Sequence, residues 1–284
     1  MKETVTRFAP SPTGRLHLGH AYSAFFAVEI ARAAAGRFLL RIEDIDRTRC
    51  RPEFEGAILE DMAWLGLVWE EPVRRQSDHL TDYRAALDRL LDIGVVYPCF
   101  CTRKDIQREI ERAGHAPHGR EGLIYPGTCR ELADSERRAQ MASGKSHAMR
   151  LDVGQASARC GPLYFEDRAW GRIAVDPLGD GDVVVARKDI GTSYHLSVVV
   201  DDALQGVSCV TRGKDLLDAT HIHRLLQTLL DLPAPEYAHH ELMVGRDGKR
   251  LAKRDKAMTL AALRQSGQTS AMVRALAGYP DCKA

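Results

Sequence analysis

The chain has 284 residues, 44% of them hydrophobic, which is enough to bury one large core or two smaller ones. Its formal net charge of +1 excludes a uniformly basic surface, so any nucleic acid must be held by local patches. The sequence has no apolar run of about 18 residues and no basic start followed by an apolar segment, so we expect neither membrane insertion nor export but a cytoplasmic protein.

The first predicted elements are a strand, a loop and a helix. Val5 to Phe8 is a short apolar run typical of a strand, and two prolines and a glycine then predict a loop. The residues from Ala21 to Ala35 favour a helix, so the loop leads onto a helix N-terminus, which attracts phosphate. At this junction His17 and His20 offer donors to phosphate oxygens, and Gly19 lets the backbone approach a ligand closely.

Strand and helix patterns alternate again on both sides of an irregular middle part. The turn-rich sequence and short runs from Cys99 to about Val185 predict an insertion. The flanking parts predict a doubly wound α/β sheet, in which nucleotides bind where the strand order reverses. The further predicted elements are Arg37 to Ile42 (strand), Glu53 to Leu65, Thr81 to Asp92 and Glu131 to Ser143 (helices), Ala148 to Val153 and Arg172 to Val175 (short runs), Asp182 to Arg187, Ser193 to Val200 and Val207 to Arg212 (periodic patterns), Asp218 to Leu230 (helix) and about Thr259 to Leu276 (helical tail).

The start of the chain, Arg7-Phe8-Ala9-Pro10-Ser11-Pro12-Thr13-Gly14-Arg15-Leu16-His17-Leu18-Gly19-His20, resembles the HIGH motif of class I aminoacyl-tRNA synthetases in its glutamyl-branch form. Later stretches resemble further landmarks of that branch in the same order. They are Arg41 to Arg49, Tyr194 with the Val199 to Ala203 run, Val210 to Gly213, and Arg250 to Arg254, which resembles the KMSKS motif.

The resemblance implies a class I synthetase fold: a Rossmann-like doubly wound parallel sheet, a zinc-bearing insertion and a small, mainly helical C-terminal region that contacts the tRNA stem. The expected regions are 1–98 (first half with the HIGH motif), 99–185 (insertion), 186–232 (second half) and 233–284 (stem-contact region with the KMSKS-like motif). An anticodon-binding domain is not expected, because only about thirty residues follow the KMSKS-like motif. Arg246 to Lys256 is a basic segment and a candidate tRNA contact, although most charge runs are solvated loops.

The chemistry implied by the resemblance is attack of an amino acid carboxylate on the α-phosphate of ATP, with Mg²⁺ accompanying the ATP. Catalysis would come from positioning and charge stabilisation, with His17, His20 and Lys253 as catalytic residues. ATP would be bound by the same three residues together with Gly19. Arg250 and Ala252 depart from the usual Lys and Ser of the KMSKS motif; they leave Lys253 in place, and their effect on the rate is open.

A glutamate substrate carries two carboxylates and one ammonium group, so its pocket needs cationic or hydroxyl partners and one carboxylate. Arginine forks hold carboxylates, a tyrosine adds a hydroxyl, and a glutamate accepts the ammonium group. A pocket with two arginines is poorly matched to a neutral amide, which favours glutamate over glutamine. By similarity to the family, the glutamate contacts are Arg7, Phe8, Ala9, Pro10, Ser11, Glu43, Tyr194 and Arg212.

Seven cysteines without an export signal favour thiols or metal ligands over a disulfide framework. Cys99 and Cys101 are expected on one face of a strand, and with Cys129 they suggest one structural zinc ion, against the alternative of three buried thiols. Spacing rules nominate His115 or His118 as the fourth ligand, whereas the family pattern points to Tyr125. The remaining cysteines, Cys50, Cys160, Cys209 and Cys282, are interpreted as ordinary thiols.

Because the sequence stops soon after the KMSKS-like motif, it most resembles the truncated members of the branch, the glutamyl-queuosine tRNA(Asp) synthetases. These enzymes activate glutamate without tRNA and attach it to the queuosine base in the anticodon loop of tRNA(Asp). The implied partners are glutamate, ATP and tRNA(Asp) carrying queuosine, and a monomer is expected. Two alternatives stay open: a minimal glutamyl-tRNA synthetase that charges the 3' terminal adenosine, and a non-catalytic tRNA-binding paralogue.

Overall fold

The computed structural model describes residues 3–106, 124–243 and 259–279, and the backbone of 118–119 and 122–123. Within these residues we find no helix with the length and apolar character needed to cross a membrane. Several sequence predictions fall outside the described residues: Lys253, Arg250 and Ala252 of the KMSKS-like motif, His115, Cys282 and the basic segment Arg246 to Lys256. Of His118 only the backbone is described.

Strands and helices alternate along most of the chain. The strands are β1 (Val5–Phe8), β2 (Arg37–Ile42), β3 (Glu70–Arg75), β4 (Val96–Cys99), β5 (His118–Gly119), β6 (Gly122–Leu123), β7 (Ala148–Leu151), β8 (Tyr164–Asp167), β9 (Gly171–Ala174), β10 (Val184–Ala186), β11 (Cys209–Gly213) and β12 (Glu236–His240). The helices are α1 (Leu18–Ala33), α2 (Pro52–Trp64), α3 (Leu80–Asp92), α4 (Asp134–Ala142), α5 (Val153–Cys160), α6 (Tyr194–Leu204), α7 (Ala219–Leu229), α8 (Leu260–Gln265) and α9 (Ser270–Leu276).

The central feature is a parallel sheet whose strand order reverses between β1 and β11. Strands β1, β2 and β3 pair in parallel on one side, and β11, β12 and β8 pair in parallel on the other, with β9 antiparallel at the edge. The two sides meet where the Ser208 N–H donates to the Val5 carbonyl at 3.0 Å. Such a reversal leaves a crevice at the carboxyl ends of the strands, where ligands of doubly wound sheets bind.

Two large apolar cores lie against this framework. One joins α1 and α2 to strands β1 and β2 and includes Leu260, Val273 and Ala277 of the C-terminal helices. The other joins α3, α6 and α7 to the antiparallel sheet β10-β7-β4. The C-terminal helices therefore pack beside the start of α1, close to the crevice.

Most predicted elements occur within a few residues of their expected bounds, and the differences have local causes. The predicted tail from Thr259 to Leu276 is two helices, because Gly267 at φ +83° ends the first one. Glu236–His240 was not predicted as a strand, yet it pairs in parallel with β11. The pattern from Ser193 to Val200 is a helix that Ser193 caps, its side chain accepting from the Leu196 N–H.

Candidate active site at the start of helix α1

Helix α1 begins with two histidines whose rings are oriented by the backbone. His17 is the N-cap, and its Nδ1 accepts a hydrogen bond from the Gly19 N–H at 3.1 Å. His20 Nδ1 accepts from the His17 N–H at 3.1 Å, so the pair forms a capping box. Because each Nδ1 is an acceptor, each ring carries its proton on Nε2. The predicted catalytic histidines therefore present N–H donors next to the positive end of α1.

Gly19 is needed here because of its small size. A Cβ atom at this position would lie 3.0 Å from Cε1 and 3.1 Å from Nδ1 of His17, tighter than ordinary contact. The prediction assigned Gly19 to close approach of a ligand. The structure adds that glycine leaves room for the His17 ring in its capping orientation.

Both described ends of the segment 244–258 lie at the start of α1. On one side His240 Nε2 is 2.9 Å from the Ser23 hydroxyl. On the other side Thr259 pairs with His17, and the Leu260 N–H donates to the Leu16 carbonyl at 2.9 Å. The described residues on the two flanks of this segment, His240 and Thr259, therefore contact Ser23 and His17 respectively.

A second group of predicted residues, Arg7 and Glu43, is joined by a buried network of charges. Arg7, 4% exposed at the end of β1, donates to both oxygens of Asp202 at 2.9 and 3.3 Å and to the Thr211 carbonyl at 2.8 Å. Arg41, fully buried on β2, donates to Asp202 at 2.8 Å and to Glu43 at 3.1 Å. Asp202 on α6 thus fixes both arginines, and Arg41 fixes Glu43.

Burial and charge shift the acids of this network in opposite directions. Burial raises the pKa of the Glu43 carboxyl above its ordinary value, although Arg41 and Arg7 oppose the shift. For Asp202, burial alone would raise the pKa, but Arg7 and Arg41 more than offset it and the pKa lies below its ordinary value. Asp202 is therefore a fixed anion, whereas Glu43, which already pairs with Arg41, would gain a second ionic partner when an ammonium group binds.

Arg212 on β11 lies on the other side of this pocket. It is 6% exposed and is held by residues of α6, α7 and β12. Its hydrogen bonds go to His239 Nε2 (3.1 Å), Tyr194 Oη (3.3 Å), His223 Nδ1 (3.0 Å) and Thr220 Oγ1 (2.6 Å). Its predicted partner Tyr194 is therefore in direct contact with it.

The predicted pocket residues Arg7, Glu43, Tyr194 and Arg212 are brought together. Arg7 donates to the carbonyl of Thr211, the neighbour of Arg212 on β11, and Arg212 donates to the Tyr194 hydroxyl. Glu43 is connected to Arg7 through Arg41 and Asp202, and burial raises the pKa of the Tyr194 phenol. They come from β1, β11, the N-terminus of α6 and the residue after β2, at the carboxyl ends of the central strands. The strand-order reversal therefore collects one carboxylate, one phenol and two guanidinium groups.

The segment Phe8 to Ser11 leads from the end of β1 past Glu43. The Phe8 side chain lies in the apolar core, so any contact from Phe8 to a ligand would come from its backbone. The Pro10 carbonyl accepts from the Glu43 N–H at 3.1 Å, which sets the loop against Glu43. Ala9 is half-buried and Ser11 is exposed.

The three predicted cysteine ligands form one cluster. The sulfur atoms of Cys99, Cys101 and Cys129 lie within 4.8 Å of one another. Tyr125 Oη is 3.6 Å from Cys101 Sγ and accepts from the Cys129 N–H at 2.8 Å. The strand ends at Cys99, so Cys101 lies beyond it and not on the strand as predicted; the chain nevertheless brings the two thiols together.

The structure adds functional residues that sequence reasoning missed. Asp202 and Arg41 lie inside stretches that were recognised as landmarks, but no role was assigned to them. Two adjacent acids at the end of the apolar run Val198 to Val200 are a signal for a buried acid with a cationic partner. His223 and His239, which hold Arg212, carry no local signal, because their partners are distant in sequence.

Comparison with known proteins identifies the family of this chain. A family profile described as "tRNA synthetases class I (E and Q), catalytic domain" matches residues 3–278. A Rhodobacter capsulatus protein named Glutamyl-Q tRNA(Asp) synthetase is 50% identical over 280 residues, covering 96% of this chain and 99% of its own length. A Nocardia farcinica protein of the same name is 46% identical, covering 95% of this chain and 82% of its own length.

Longer relatives match as well. The Glutamate--tRNA ligase of Aquifex aeolicus is 39% identical over 94% of this chain and 55% of its own length. The crystal structure of a glutamate tRNA ligase from Elizabethkingia meningosepticum superposes with a TM-score of 0.75 at 28% identity, covering 89% of this chain and 52% of that one. The chain thus spans about half the length of these two proteins. The resemblance expected from the sequence is confirmed, and the chain belongs to the class I tRNA synthetases of the E and Q type, with their catalytic fold.

Proposed function

We propose that this ATP-dependent ligase activates glutamate to glutamyl-adenylate without tRNA and then transfers the glutamate to the queuosine base in the anticodon loop of tRNA(Asp). The observation that carries the proposal is the buried hydrogen-bond network that connects Arg7, Glu43, Tyr194 and Arg212. The relatives with 45–50% identity that are named Glutamyl-Q tRNA(Asp) synthetase support the choice of acceptor.

In the first step a carboxylate oxygen of glutamate attacks the α-phosphorus of ATP, and pyrophosphate leaves. Negative charge that develops on the phosphoryl oxygens is stabilised by the Nε2–H groups of His17 and His20 and by the positive end of α1. Lys253, predicted from the KMSKS-like motif, supplies a further cation; Mg²⁺ accompanies the ATP. In the second step a hydroxyl of the queuosine cyclopentenediol attacks the acyl carbon, and AMP leaves.

The pocket favours glutamate by charge. Glu43 accepts the ammonium group, and Arg212 with the Tyr194 hydroxyl meets a carboxylate. A glutamine amide would leave a buried cation without an anionic partner, which costs binding free energy.

The transfer is tested with labelled glutamate, ATP and Mg²⁺ on two tRNA pools that differ only in their queuosine content. We expect label on the queuosine-containing pool alone. Equal label on both pools would instead indicate charging of the 3' terminal adenosine, the activity carried in the name of the longer relatives, and would overturn the proposed acceptor.

Activation is tested separately by exchange of pyrophosphate into ATP with glutamate and no tRNA. We expect exchange in the wild type, a large loss in Lys253→Ala and near-normal exchange in Lys249→Ala, a matched lysine of the same segment. Absence of glutamate-dependent exchange in the wild type would favour the non-catalytic tRNA-binding alternative.

We further propose that Cys99, Cys101, Cys129 and Tyr125 hold one structural zinc ion. The sulfur positions fit such an ion, because a tetrahedral site with zinc–sulfur bonds of about 2.3 Å places its sulfurs roughly 3.8 Å apart, and Cys101 and Cys129 Sγ are 3.4 Å apart. The Phe100 N–H also donates to Cys129 Sγ at 3.3 Å, which favours a thiolate. Such a closed site would stabilise the fold and take no part in the chemistry.

Zinc is tested by metal analysis of the purified protein and of matched serine variants. Cys101 and Cys160 are both half-buried, but only Cys101 belongs to the cluster. We expect Cys101→Ser to lose zinc and Cys160→Ser to keep it, and Tyr125→Phe to weaken zinc binding. A zinc-free wild type, or full zinc in Cys101→Ser, would contradict the site.

The boundaries at residues 98, 185 and 232, the role of 233–284 in contacting tRNA, the monomeric state and the cytoplasmic location stay predictions. Sedimentation of the purified chain with and without tRNA measures the oligomeric state directly.

A further inference from the structure

The two arginines of the pocket are held in different ways. Arg7 is bound by the carboxylate of Asp202, at 2.9 and 3.3 Å. Among the described residues Arg212 has no salt-bridge partner; its hydrogen bonds go to two imidazoles, a phenol and a threonine hydroxyl. The charge of Arg7 is therefore largely compensated by the protein, whereas that of Arg212 is not.

The hydrogen bonds of Arg212 also fix the tautomers of its histidine partners. A guanidinium group only donates, so Nε2 of His239 accepts and the proton must sit on Nδ1. That Nδ1–H donates to Asp167 Oδ2 at 2.6 Å. In the same way His223 accepts at Nδ1 and donates from Nε2 to Nδ1 of His195, 3.2 Å away.

Burial keeps these rings uncharged. Burial lowers the pKa of His239 to about 4, helped by the Arg212 charge and opposed by Asp167. Burial and the Arg212 charge lower the pKa of His223 well below its ordinary value, and that of His195 to about 4. At neutral pH Arg212 is therefore bordered by neutral acceptors.

Asp167 is anchored independently of the pocket. Its other oxygen, Oδ1, accepts from the backbone N–H groups of Ala169 and Trp170 at 2.8 and 3.3 Å. Asp167 and His239 lie on the neighbouring strands β8 and β12, and His239 is opposite Arg212 in the parallel register of β12 and β11. Hydrogen bonds thus connect Asp167, His239 and Arg212 across three adjacent strands, β8, β12 and β11.

We propose that His239, oriented by Asp167, is a positioning residue that determines carboxylate specificity: it holds Arg212 through an uncharged acceptor, so the guanidinium keeps its full charge for the amino acid substrate. This inference rests on the proposed function for the identity of the substrate. The imidazole ring of His239 lies between Asp167 and Arg212. The Asp167 carboxylate therefore orients the ring but does not neutralise the Arg212 guanidinium.

The test compares two substitutions, His239→Gln and His239→Glu, whose new side chains have the same size and shape as each other. Glutamine presents a neutral oxygen to Arg212, whereas glutamate presents a charged one. We expect the KM for glutamate in pyrophosphate exchange to stay within about threefold of wild type in His239→Gln and to rise at least about tenfold in His239→Glu, with the KM for ATP unchanged in both. The ratio of kcat/KM for glutamate over glutamine should fall at least about tenfold in His239→Glu only.

A purely structural role would give a different pattern, because loss of the imidazole would affect both variants alike. Equal KM values for glutamate in the two variants, or an undiminished glutamate preference in His239→Glu, would overturn the inference. Since the new carboxylate would face Asp167, the comparison is repeated in the Asp167→Asn background, where the same tenfold difference is expected and melting curves report folding.

Calorimetric titration of glutamate into the same variants measures binding without turnover. A tenfold weaker glutamate affinity in His239→Glu than in His239→Gln supports the inference, and equal affinities contradict it. If this difference is present but no label reaches queuosine-containing tRNA, the proposed function fails and the inference about Arg212 stands.

Discussion

The two parts of the candidate site, the start of α1 and the amino acid pocket, are built in opposite ways. His17 and His20 are oriented by backbone groups at most three residues away. Arg7 and Arg212 are oriented by side chains up to about two hundred residues away in sequence, such as Asp202. The start of α1 is therefore a local structure, whereas the amino acid pocket exists only when the whole sheet has formed.

Because of this difference, we expect the two parts to respond differently to mutation. A change at the start of α1 should alter catalysis and leave the fold intact, because the capping box involves little of the protein. A change in the charge network should cost stability as well, since it leaves buried ions without partners.

The largest expected effect is on stability, in Arg41→Met. The substitution removes the buried guanidinium partner of Glu43 and leaves Asp202 paired with Arg7, so we expect the free energy of unfolding to fall by about 3–5 kcal/mol. Arg37 on the same strand pairs with Glu70 at the surface, and Arg37→Met should cost about 1 kcal/mol or less. Urea unfolding followed by circular dichroism measures the free energy of unfolding of both variants. Equal losses would show that the buried charge network contributes no more to stability than a surface ion pair.

The next effect is on catalysis, in His17→Asn. Asparagine is a strong N-cap residue and keeps an acceptor for the Gly19 N–H, but it has no donor at the position of Nε2. We expect the kcat of pyrophosphate exchange to fall about a hundredfold, as when an oxyanion donor is removed. Stability should be preserved in His17→Asn and fall by about 1 kcal/mol in His17→Ala, which also loses the cap. Full activity in the asparagine variant would rule out the proposed role.

A smaller effect concerns the pH dependence of glutamate binding. Glu43 must be ionised to accept an ammonium group, and burial raises its pKa, so it becomes protonated at a higher pH than an ordinary carboxyl. The KM for glutamate should therefore rise as the pH is lowered from neutrality, while the KM for ATP follows a different profile. Glu43→Gln should raise the KM about tenfold and remove this dependence on pH. A Glu43→Gln profile that parallels the wild type would assign the dependence to another group.

The smallest effect is expected for Gly19→Ala. The new Cβ would lie 3.0 Å from the His17 ring, which must then move by a few tenths of an ångström. We expect kcat to fall by less than about tenfold, with the KM for glutamate unchanged, because displacements near 1 Å are needed for larger losses. Gly14→Ala, where a Cβ meets nothing within 4 Å, is the matched control. A raised KM for glutamate in Gly19→Ala would show that the two parts of the site are coupled.

The same contrast explains how far the sequence could predict the molecule. The strand Arg37–Ile42 was predicted with its observed bounds, because an apolar run carries its own signal. The strand Glu236–His240 was missed because its two histidines interrupt the apolar pattern of a buried strand. Both histidines are buried, and they pair with Asp167 and Ser23. Long-range partners of this kind leave no periodic pattern in one sequence.

For the site, the motif residues were predicted and their supports were not. His17, Glu43 and Arg212 lie in recognisable stretches, and the structure places them around one crevice. No role was predicted for Asp202, because its partners Arg7 and Arg41 are distant in sequence. The placement of Lys253 stays a prediction, because it lies outside the described residues.

The strand register that sets Arg212 opposite His239 has a consequence for how this chain can change in length. Successive residues of a strand point to opposite faces, so deleting or inserting one residue within Cys209–Gly213 or Glu236–His240 would turn one partner away from the other. In the connection between the two strands, Thr220 and His223 of α7 also hold Arg212, so the turn after Leu229, beyond these residues, is the part that is free of this constraint. Insertions and deletions should therefore be tolerated in the turn after Leu229 but not within the two strands. There, a change of even one residue would separate Arg212 from His239.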